Sequence, residues 1–274
     1  MRVVTRGSTH HHHEETMLHT RTGGRFMSFV TKAAMVGIVL TATTIRPAWA
    51  ELSPPPVQPA LDQAIEQYIR SHPEVIVQAL QSLELKRQEE ERLRLTQAIA
   101  TNEKELLEDP ASPVSGNVVD GGVTVIEFFD YRCGYCKRVA GTVTQLQKDE
   151  PGVRVVYKNL PILGDASVFA ARAALAAQEQ GKHQAFHEAM LATENELTRE
   201  EVFVIAERVG LDAKKLEADM HLPEWQRAID RNSDLARRLG ISGTPGFVVG
   251  KELQFGALDL TSLKNLVARA RMTH

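Results

Sequence analysis

The chain has 274 residues, of which 43% are hydrophobic, 24% are charged and 5% are aromatic, and its formal net charge is −3. This composition excludes collagen-like and wholly disordered chains, and the balance of 32 basic and 35 acidic residues gives no basic footprint for nucleic acid. Because Cys133 and Cys136 are the only cysteines, the chain is neither a disulfide-rich scaffold nor a four-cysteine zinc protein.

The first fifty residues have the features of an export signal. Lys32 precedes a mostly apolar run, 33–44, which is too short to cross a bilayer but has the length of a signal-peptide core. Ala48-Trp49-Ala50 then offers a small-x-small cleavage site. We therefore expect residues 1–50 to be a leader and signal peptide, cleaved near Ala50, that directs the chain to the periplasm. The alternative is an uncleaved membrane anchor.

Residues 51–108 predict a helical arm. After a proline-rich start, the chain from 61 to 107 is almost free of Gly and Pro and rich in Gln, Glu, Leu and Arg, which is typical of helices. Apolar residues recur at helical spacing, namely Leu61, Ile65, Tyr68, Ile69, Ile76, Leu80, Leu83, Leu95, Ile99 and Leu106. Because short helices cannot bury such a stripe alone, it needs a partner, either the chain's own catalytic domain or another copy. We favour another copy, and hence a homodimer or homotrimer.

The rest of the chain predicts an α/β domain. Residues 109–117 contain Pro110, Pro113 and Gly116 and predict a linker between the arm and this domain, which we place at 118–274. Strand and helix patterns alternate in the order β-α-β, several helices, then β-β-α. The expected elements are strands at 123–129, 153–159, 247–250 and 253–255, a helix at 133–148, a helical stretch from 165 to 239, and a closing helix at 260–271.

The chemistry of the chain is concentrated in Cys133-Gly134-Tyr135-Cys136, a C-x-x-C pair that follows a predicted strand and begins a predicted helix. At a helix N-terminus, unpaired backbone N–H groups and the helix dipole stabilise a thiolate, the species that attacks disulfides. The second cysteine lies one turn along and can displace a mixed disulfide. Half of a zinc site would look the same, but the second half is missing. His183 and His187 are spaced i, i+4 in a polar segment, and we expect them on a solvated helix face.

Two segments resemble a known family. Residues 127–137, Glu-Phe-Phe-Asp-Tyr-Arg-Cys-Gly-Tyr-Cys-Lys, are similar to the active-site segment of DsbA-like thioredoxin-fold proteins. Residues 243–247, Gly-Thr-Pro-Gly-Phe, are similar to the cis-proline loop of that family. The resemblance implies a thioredoxin fold with an inserted helical domain at about 162–240. The N-terminal helical segment further resembles the ScsC (suppressor of copper sensitivity) branch, whose members oligomerise through such segments.

The resemblance also implies roles for individual residues. Cys133 would be the attacking thiol and Cys136 the resolving thiol. Thr244 and Pro245 would face the cysteines and offer backbone groups to an extended substrate peptide. No cofactor is implied beyond the redox-active Cys133–Cys136 disulfide itself, and no metal.

Three further positions belong to this implied site. Gly134 and Tyr135 are the dipeptide between the cysteines. In this family the dipeptide helps to set the redox potential and would contact the substrate. Gly134-Tyr135 differs from the Pro-His of the best-known DsbA oxidases. Glu127 matches a buried strand carboxylate that could relay the proton of the resolving cysteine. The alternative for Glu127 is an ion pair with Lys158.

These residues predict a periplasmic thiol:disulfide oxidoreductase or isomerase that exchanges disulfides with exported cysteine-containing proteins. A membrane redox partner of the DsbB, DsbD or ScsB type is implied. The alternatives are a monomeric DsbA-type oxidase and a copper- or metal-handling protein that uses Cys133 and Cys136, whose soft sulfur ligands suit Cu(I).

Overall fold

In the part of the chain that the structure describes, three helices come before the sheet. The computed structural model describes residues 57–117 and 122–272, so the predicted signal peptide lies outside the described residues. The helices are α1 (Val57–Ser71), α2 (Pro73–Thr101) and α3 (Glu103–Glu108). The chain divides into a unit of residues 1–63, of which the structure describes only the first turns of α1, and a unit of residues 64–274, which contains all the other elements.

Among the described residues, five strands form one mixed sheet in the order β1-β3-β2-β4-β5. Strands β2 and β3 are parallel, while β1 on β3, β4 on β2 and β5 on β4 are antiparallel. Helix α4 crosses from β2 to β3, and α10 follows β5. The bounds are β1 (Val114–Ser115), β2 (Val123–Phe129), α4 (Gly134–Asp149), β3 (Val153–Asn159), β4 (Gly246–Val249), β5 (Glu252–Phe255) and α10 (Leu260–Met272). The predicted β-α-β and β-β-α halves of a thioredoxin fold are confirmed.

The predicted helical insertion lies between β3 and β4. Its elements are α5 (Asp165–Ala176), a 3₁₀ turn (Ala177–Gln180), α6 (His183–Ala192), α7 (Arg199–Arg208), α8 (Ala213–Asp219) and α9 (Pro223–Leu239). Side-chain caps begin two of these helices, because the Thr198 hydroxyl accepts a bond from Glu201 N and the Asp212 carboxylate accepts bonds from the backbone of α8. Helix α9 ends at Gly240, whose φ of 76° suits a left-handed C-cap.

The sheet separates two hydrophobic cores, because successive side chains of a strand point to opposite faces. On one face, Val125 and Phe129 of β2 pack with α4 and the helical insertion. On the other face, Ile126 and Phe128 pack with the end of the arm and with α9. Glu127 lies two residues after Val125 in the same strand, so its side chain faces the same core as the cysteines.

One part of the apolar stripe of the arm is buried and the other part is exposed. From Leu95 onward it packs on the chain's own sheet, where Ile99 and Leu106 are buried against residues such as Phe128 and Leu239. This part has its partner within the chain, contrary to our preference for another copy. From Ile65 to Leu93 the apolar side chains of the described chain are exposed.

The predicted linker, 109–117, is instead an ordered part of the domain. Val114 and Ser115 form strand β1 at the sheet edge, and the Asp109 carboxylate, with 6% of its side chain exposed, pairs with Lys158. The prediction failed because Pro and Gly mark tight turns as well as flexible linkers, and this segment is held by partners distant in the chain, such as Val156 for Val114 and Lys158 for Ser112.

Candidate active site

The two cysteines lie where β2 passes into α4. Cys133 is the N-cap residue, with extended backbone angles, and its carbonyl accepts the first helical bond from Lys137 N (3.0 Å). Both cysteines are free thiols. Cys133 is 7% exposed whereas Cys136 is fully buried, so only the first sulfur is near the surface. As the C-x-x-C spacing predicts, the first cysteine lies at the helix N-terminus and the second one turn along, although both residues are buried.

The proline loop meets the first cysteine. Cys133 Sγ donates a hydrogen bond to the carbonyl oxygen of Thr244 at 3.2 Å, and the Thr244–Pro245 peptide bond is cis, as predicted. The two segments are 111 residues apart in the chain, and the pairing of β2 with β4 brings them together. The sulfur is therefore held beside a backbone edge that an extended peptide can also reach.

Gly134 and Tyr135, the dipeptide between the cysteines, lie at the protein surface. Tyr135 is 58% exposed, and the Arg138 guanidinium stacks over its ring at 4.2 Å from the centroid. This stacking holds an aromatic surface beside Cys133. The dipeptide is thus placed where it can contact a polypeptide that approaches the outer sulfur.

Asp130 fixes the loop before the cysteines, and sequence reasoning did not single it out. Its buried carboxylate accepts hydrogen bonds from Arg132 N (2.8 Å) and from Leu163 N (3.0 Å). The Arg132 side chain in turn donates to the Leu163 carbonyl (3.3 Å) and pairs with Glu196 (3.1 Å). These bonds tie the active-site loop to the start of the helical insertion, a connection with no local signal in the sequence.

Glu127 lies on the face of β2 that packs into the same core as the two cysteines. It is 1% exposed, and its Oε1 atom has no hydrogen-bond partner among the described residues. Burial raises the pKa of Glu127 to about 8. Burial also raises the pKa of Cys136 strongly, and the charge of Glu127 adds to that effect. The inner thiol and the carboxyl group are therefore close enough to influence each other, and both favour their protonated forms.

Lys158 does not pair with Glu127, so the alternative prediction of an ion pair between these two residues is wrong. Glu127 aligns with Tyr157 in the β2–β3 register, and Lys158 points to the opposite face of the sheet. There the Lys158 ammonium donates to the Glu105 carbonyl (2.7 Å) and to Ser112 Oγ (2.8 Å), with Asp109 at 3.6 Å.

His183 and His187 are buried, which corrects the expectation of a solvated helix face. His187 Nδ1 is hydrogen-bonded to the Tyr131 hydroxyl at 2.9 Å, and its ring lies 4.3 Å from that of Tyr157 and 5.1 Å from that of Phe129. Burial lowers the pKa of His183 to about 4, and burial together with the charge of His183 lowers the pKa of His187 well below its ordinary value. The two neutral imidazoles extend the core behind the active site. Their i, i+4 spacing in a polar segment did not predict that they are buried.

The described residues, 57–117 and 122–272, contain no group of three or more His, Cys, Asp or Glu side chains that could hold a metal ion. Within the same ranges no helix is long and apolar enough to span a bilayer.

Comparison with known proteins agrees with this geometry. The family model of the DSBA-like thioredoxin domain matches residues 124–268, which is more than half of the chain. A thioredoxin-like oxidoreductase from Silicibacter pomeroyi DSS-3 is 46% identical, with a TM-score of 0.59 over 62% of this chain and 97% of that one. The thiol-disulfide exchange protein alpha-DsbA2 from Wolbachia pipientis is 30% identical, with a TM-score of 0.60 over 65% and 96% of the two chains.

Among curated proteins, the chain is similar to the Na(+)/H(+) antiporter NhaA 3 of Salinispora tropica. The two are 34% identical over 152 residues, which is 54% of this chain and 23% of the antiporter. The chain therefore spans less than a quarter of the length of that relative.

Proposed function

Because the chain belongs to the family of DSBA-like thioredoxin domains, we propose that it is a thiol:disulfide oxidoreductase acting on exported cysteine-containing proteins. The observation that carries the proposal is the contact of the Cys133 sulfur with the Thr244 carbonyl at the N-terminus of α4. The outer sulfur lies at a helix dipole and beside a peptide edge, and the buried Cys136 thiol follows one turn behind.

The exchange has two steps. The Cys133 thiolate attacks a substrate disulfide, which forms a mixed disulfide and releases one substrate thiolate. The Cys136 thiol then loses its proton, attacks Cys133 Sγ and releases the second substrate thiolate. Two electrons pass from the cysteine pair to the substrate, and the Cys133–Cys136 disulfide remains. Oxidation of a substrate dithiol is the reverse of this sequence.

Glu127 supplies the base for the second step. A fully buried thiol with a raised pKa resists deprotonation. Glu127, whose pKa is about 8, accepts the proton through the ionised fraction of its carboxyl group, which is the minor form at neutral pH. General acid–base transfer is most effective when the affinities of donor and acceptor lie near the working pH. In the reverse direction the same carboxyl group protonates the departing Cys136 thiolate.

The exposed part of the arm supports self-association and, through it, isomerase activity. Tyr68, Ile76, Leu80 and Leu83 are each between 43% and 60% exposed. Self-association through α1 and α2, as a homodimer or homotrimer, would cover them. Several Cys133 thiols would then act on one misfolded substrate at a high effective concentration, which favours reshuffling of disulfides over one-way oxidation.

The compartment follows from the same proposal. Residues 1–50 carry the pattern of a cleaved signal peptide, and the disulfides of exported substrates form and persist in an oxidising compartment such as the periplasm. A membrane protein of the DsbB, DsbD or ScsB type would restore the redox state of Cys133 and Cys136.

Refolding of scrambled ribonuclease tests the function. We expect the purified protein, in a glutathione buffer, to restore ribonuclease activity faster than the buffer alone. Cys133→Ala should abolish the gain, while Ser242→Ala, an exposed position in the loop before Thr244, should keep it. No gain over the buffer would refute the proposed function. Faster oxidation of reduced ribonuclease, without recovery of the scrambled form, would favour the oxidase over the isomerase.

A further inference from the structure

Arg138 is a cation at the rim of the active site that the two exchange steps do not use. It lies one turn after Gly134 on α4, and the side chains of a helix lean toward its N-terminus, so the guanidinium reaches back toward Cys133. The guanidinium carbon lies 4.2 Å from the centroid of the Tyr135 ring. The Nη1 atom of Arg138 lies 3.9 Å from the point where a Cβ atom on Gly134 would stand. The guanidinium therefore lies next to the dipeptide that separates the cysteines.

Arg132 and Lys137 also flank the cysteines, and both have partners. Arg132 pairs with Glu196 at 3.1 Å, and the Lys137 ammonium donates to the Thr193 carbonyl at 2.8 Å. Among the residues that the structure describes, Arg138 has no carboxylate or carbonyl within hydrogen-bond or ion-pair distance. Its positive charge is therefore available to a ligand that approaches the outer sulfur.

The contact with Tyr135 holds the guanidinium in place and leaves donors free. A guanidinium carries several N–H donors in a planar fork, and contact with one ring cannot occupy all of them. That fork matches the two oxygens of a carboxylate. Both side chains are exposed, Tyr135 to 58%, so a polypeptide at the surface can reach them. Because the cation–π contact already restricts the arginine, binding of a carboxylate costs less side-chain entropy than it would for a free arginine.

We propose that Arg138, held on Tyr135, is a carboxylate-binding subsite that makes Cys133 react faster with disulfides flanked by acidic residues. This inference rests on the proposed function and adds to it a class of substrate. The substrate peptide lies along the Thr244 edge, its disulfide meets the Cys133 thiolate, and a neighbouring carboxylate binds the guanidinium. The bonds that form and break are those of the first exchange step, and the carboxylate takes no part in them.

The test compares two small disulfides of opposite charge. Oxidised glutathione carries a carboxylate on the residue after each cysteine, whereas cystamine carries only ammonium groups. Acid quenching, alkylation and mass spectrometry give the rate at which the reduced protein forms the Cys133 mixed disulfide with each probe. The readout is the ratio of the glutathione rate to the cystamine rate. A change in the thiolate fraction of Cys133 would move both rates by the same factor, so this ratio reports the recognition of charge.

Arg138→Met removes the charge and keeps most of the length of the side chain, and Arg208→Met makes the same change on the exposed last turn of α7 as the matched control. We expect Arg138→Met to lower the ratio about fivefold, since an exposed charge pair of good geometry is worth a factor of this order. Tyr135→Leu should lower the ratio as well, whereas Tyr135→Phe keeps the ring and should keep the ratio. High salt should lower the ratio of the wild type. Circular dichroism checks that each variant is folded.

An unchanged ratio in Arg138→Met, or an equal fall in Arg208→Met, would overturn the subsite and leave the proposed function intact. A wild-type ratio that does not respond to salt would also overturn the subsite. An unchanged ratio in Tyr135→Leu would overturn the part that the ring plays in it. A wild-type protein that forms no Cys133 mixed disulfide with either probe would overturn the proposed function as well.

Discussion

Cys133 and Cys136 are three residues apart, yet their surroundings give them different chemistry. Cys133 lies at the first turn of α4, where backbone N–H groups have no helical acceptor and favour an anion. Cys136 is fully buried, and its burial raises its pKa. The outer sulfur is thus suited to attack a substrate, and the inner sulfur reacts only when a neighbouring group takes its proton.

The neighbouring group, Glu127, gives the stability of the fold a pH dependence. Its folded pKa of about 8 exceeds the ordinary value of 4.5, so the folded state holds a proton that the unfolded state has lost. Its stabilising contribution is complete below pH 4.5 and decreases as the pH rises toward 8. The buried histidines act in the opposite sense, but only at pH values up to about 6.5, because burial lowers their pKa values.

Glu127→Gln should therefore be more stable than the wild type by an amount that grows with pH between 6.5 and 8. The slope of the difference should approach ~1.4 kcal/mol per pH unit, the value for one proton. Urea unfolding at several pH values measures it, with Glu66→Gln on the exposed surface of α1 as the control. A difference that does not change with pH would show that Glu127 is already ionised in the folded protein.

Single residues differ in how well the sequence predicts their roles. Cys133, Cys136, Thr244 and Pro245 belong to short motifs whose local order fixes their placement, and the structure brings them together. The burial of His187 was not predictable from α6 alone, because it depends on aromatic rings of β2 and β3 that are distant in sequence.

At the scale of elements, a buried ion cluster joins the end of the arm to the sheet. Lys158 of β3 is fully buried, and its ammonium contacts Asp109, Ser112 and the carbonyl of Glu105. Burial alone would raise the pKa of Asp109, but the hydrogen bond from Ala111 N and the charge of Lys158 outweigh burial and lower it. Burial lowers the pKa of Lys158. The cluster holds the segment between α3 and β1 in place.

Removing one charged partner of this cluster should lower the free energy of unfolding. Asp109→Asn leaves the Lys158 charge without its buried counter-ion, and we expect a loss of about 3 kcal/mol in the free energy of unfolding. Lys158→Met combined with Asp109→Leu should recover much of that loss, because no charge then remains buried. Urea titration is the measurement. A loss below ~1 kcal/mol for Asp109→Asn, similar to that of an exposed pair, would contradict the account.

Most elements were predictable because their patterns are local. The strands at 123–129 and 153–159 and the helix after Cys133 match the sequence expectation to within one residue. Strand β1 was not predicted, because two residues carry too little periodicity, and its place is set by pairing with β3. The same long-range pairing turns the expected linker into an edge of the sheet.

At the scale of the whole molecule, the arm combines two kinds of surface. Leu95, Ile99 and Leu106 complete the chain's own core, so a truncation that starts at Val114 would expose that core. Ile76 and Leu80 lie on the exposed part of α2. Self-association is therefore best tested by substitution on the exposed part, with the core left intact.

Ile76→Glu with Leu80→Glu should raise the dissociation constant of the oligomer at least about tenfold, since ~1.4 kcal/mol gives that factor and two apolar contacts per chain would be lost. Gln78→Glu with Gln81→Glu adds the same charge to the same helix and is the matched control. Light scattering over a concentration series gives the mass. A monomeric wild type, or an oligomer that the apolar substitutions leave intact, would contradict self-association through α2.

In the proposed mechanism, Cys133 exchanges disulfides with substrates and Cys136 resolves the product. The most direct test is to mix Cys136→Ala with a disulfide-containing substrate protein, quench with acid, and map the linked peptides by mass spectrometry. We expect a stable mixed disulfide through Cys133, none with Cys133→Ala, and only a transient one with the wild type. Absence of a Cys133-linked species in Cys136→Ala, or a substrate linked through Cys136 in Cys133→Ala at the same rate, would contradict the account.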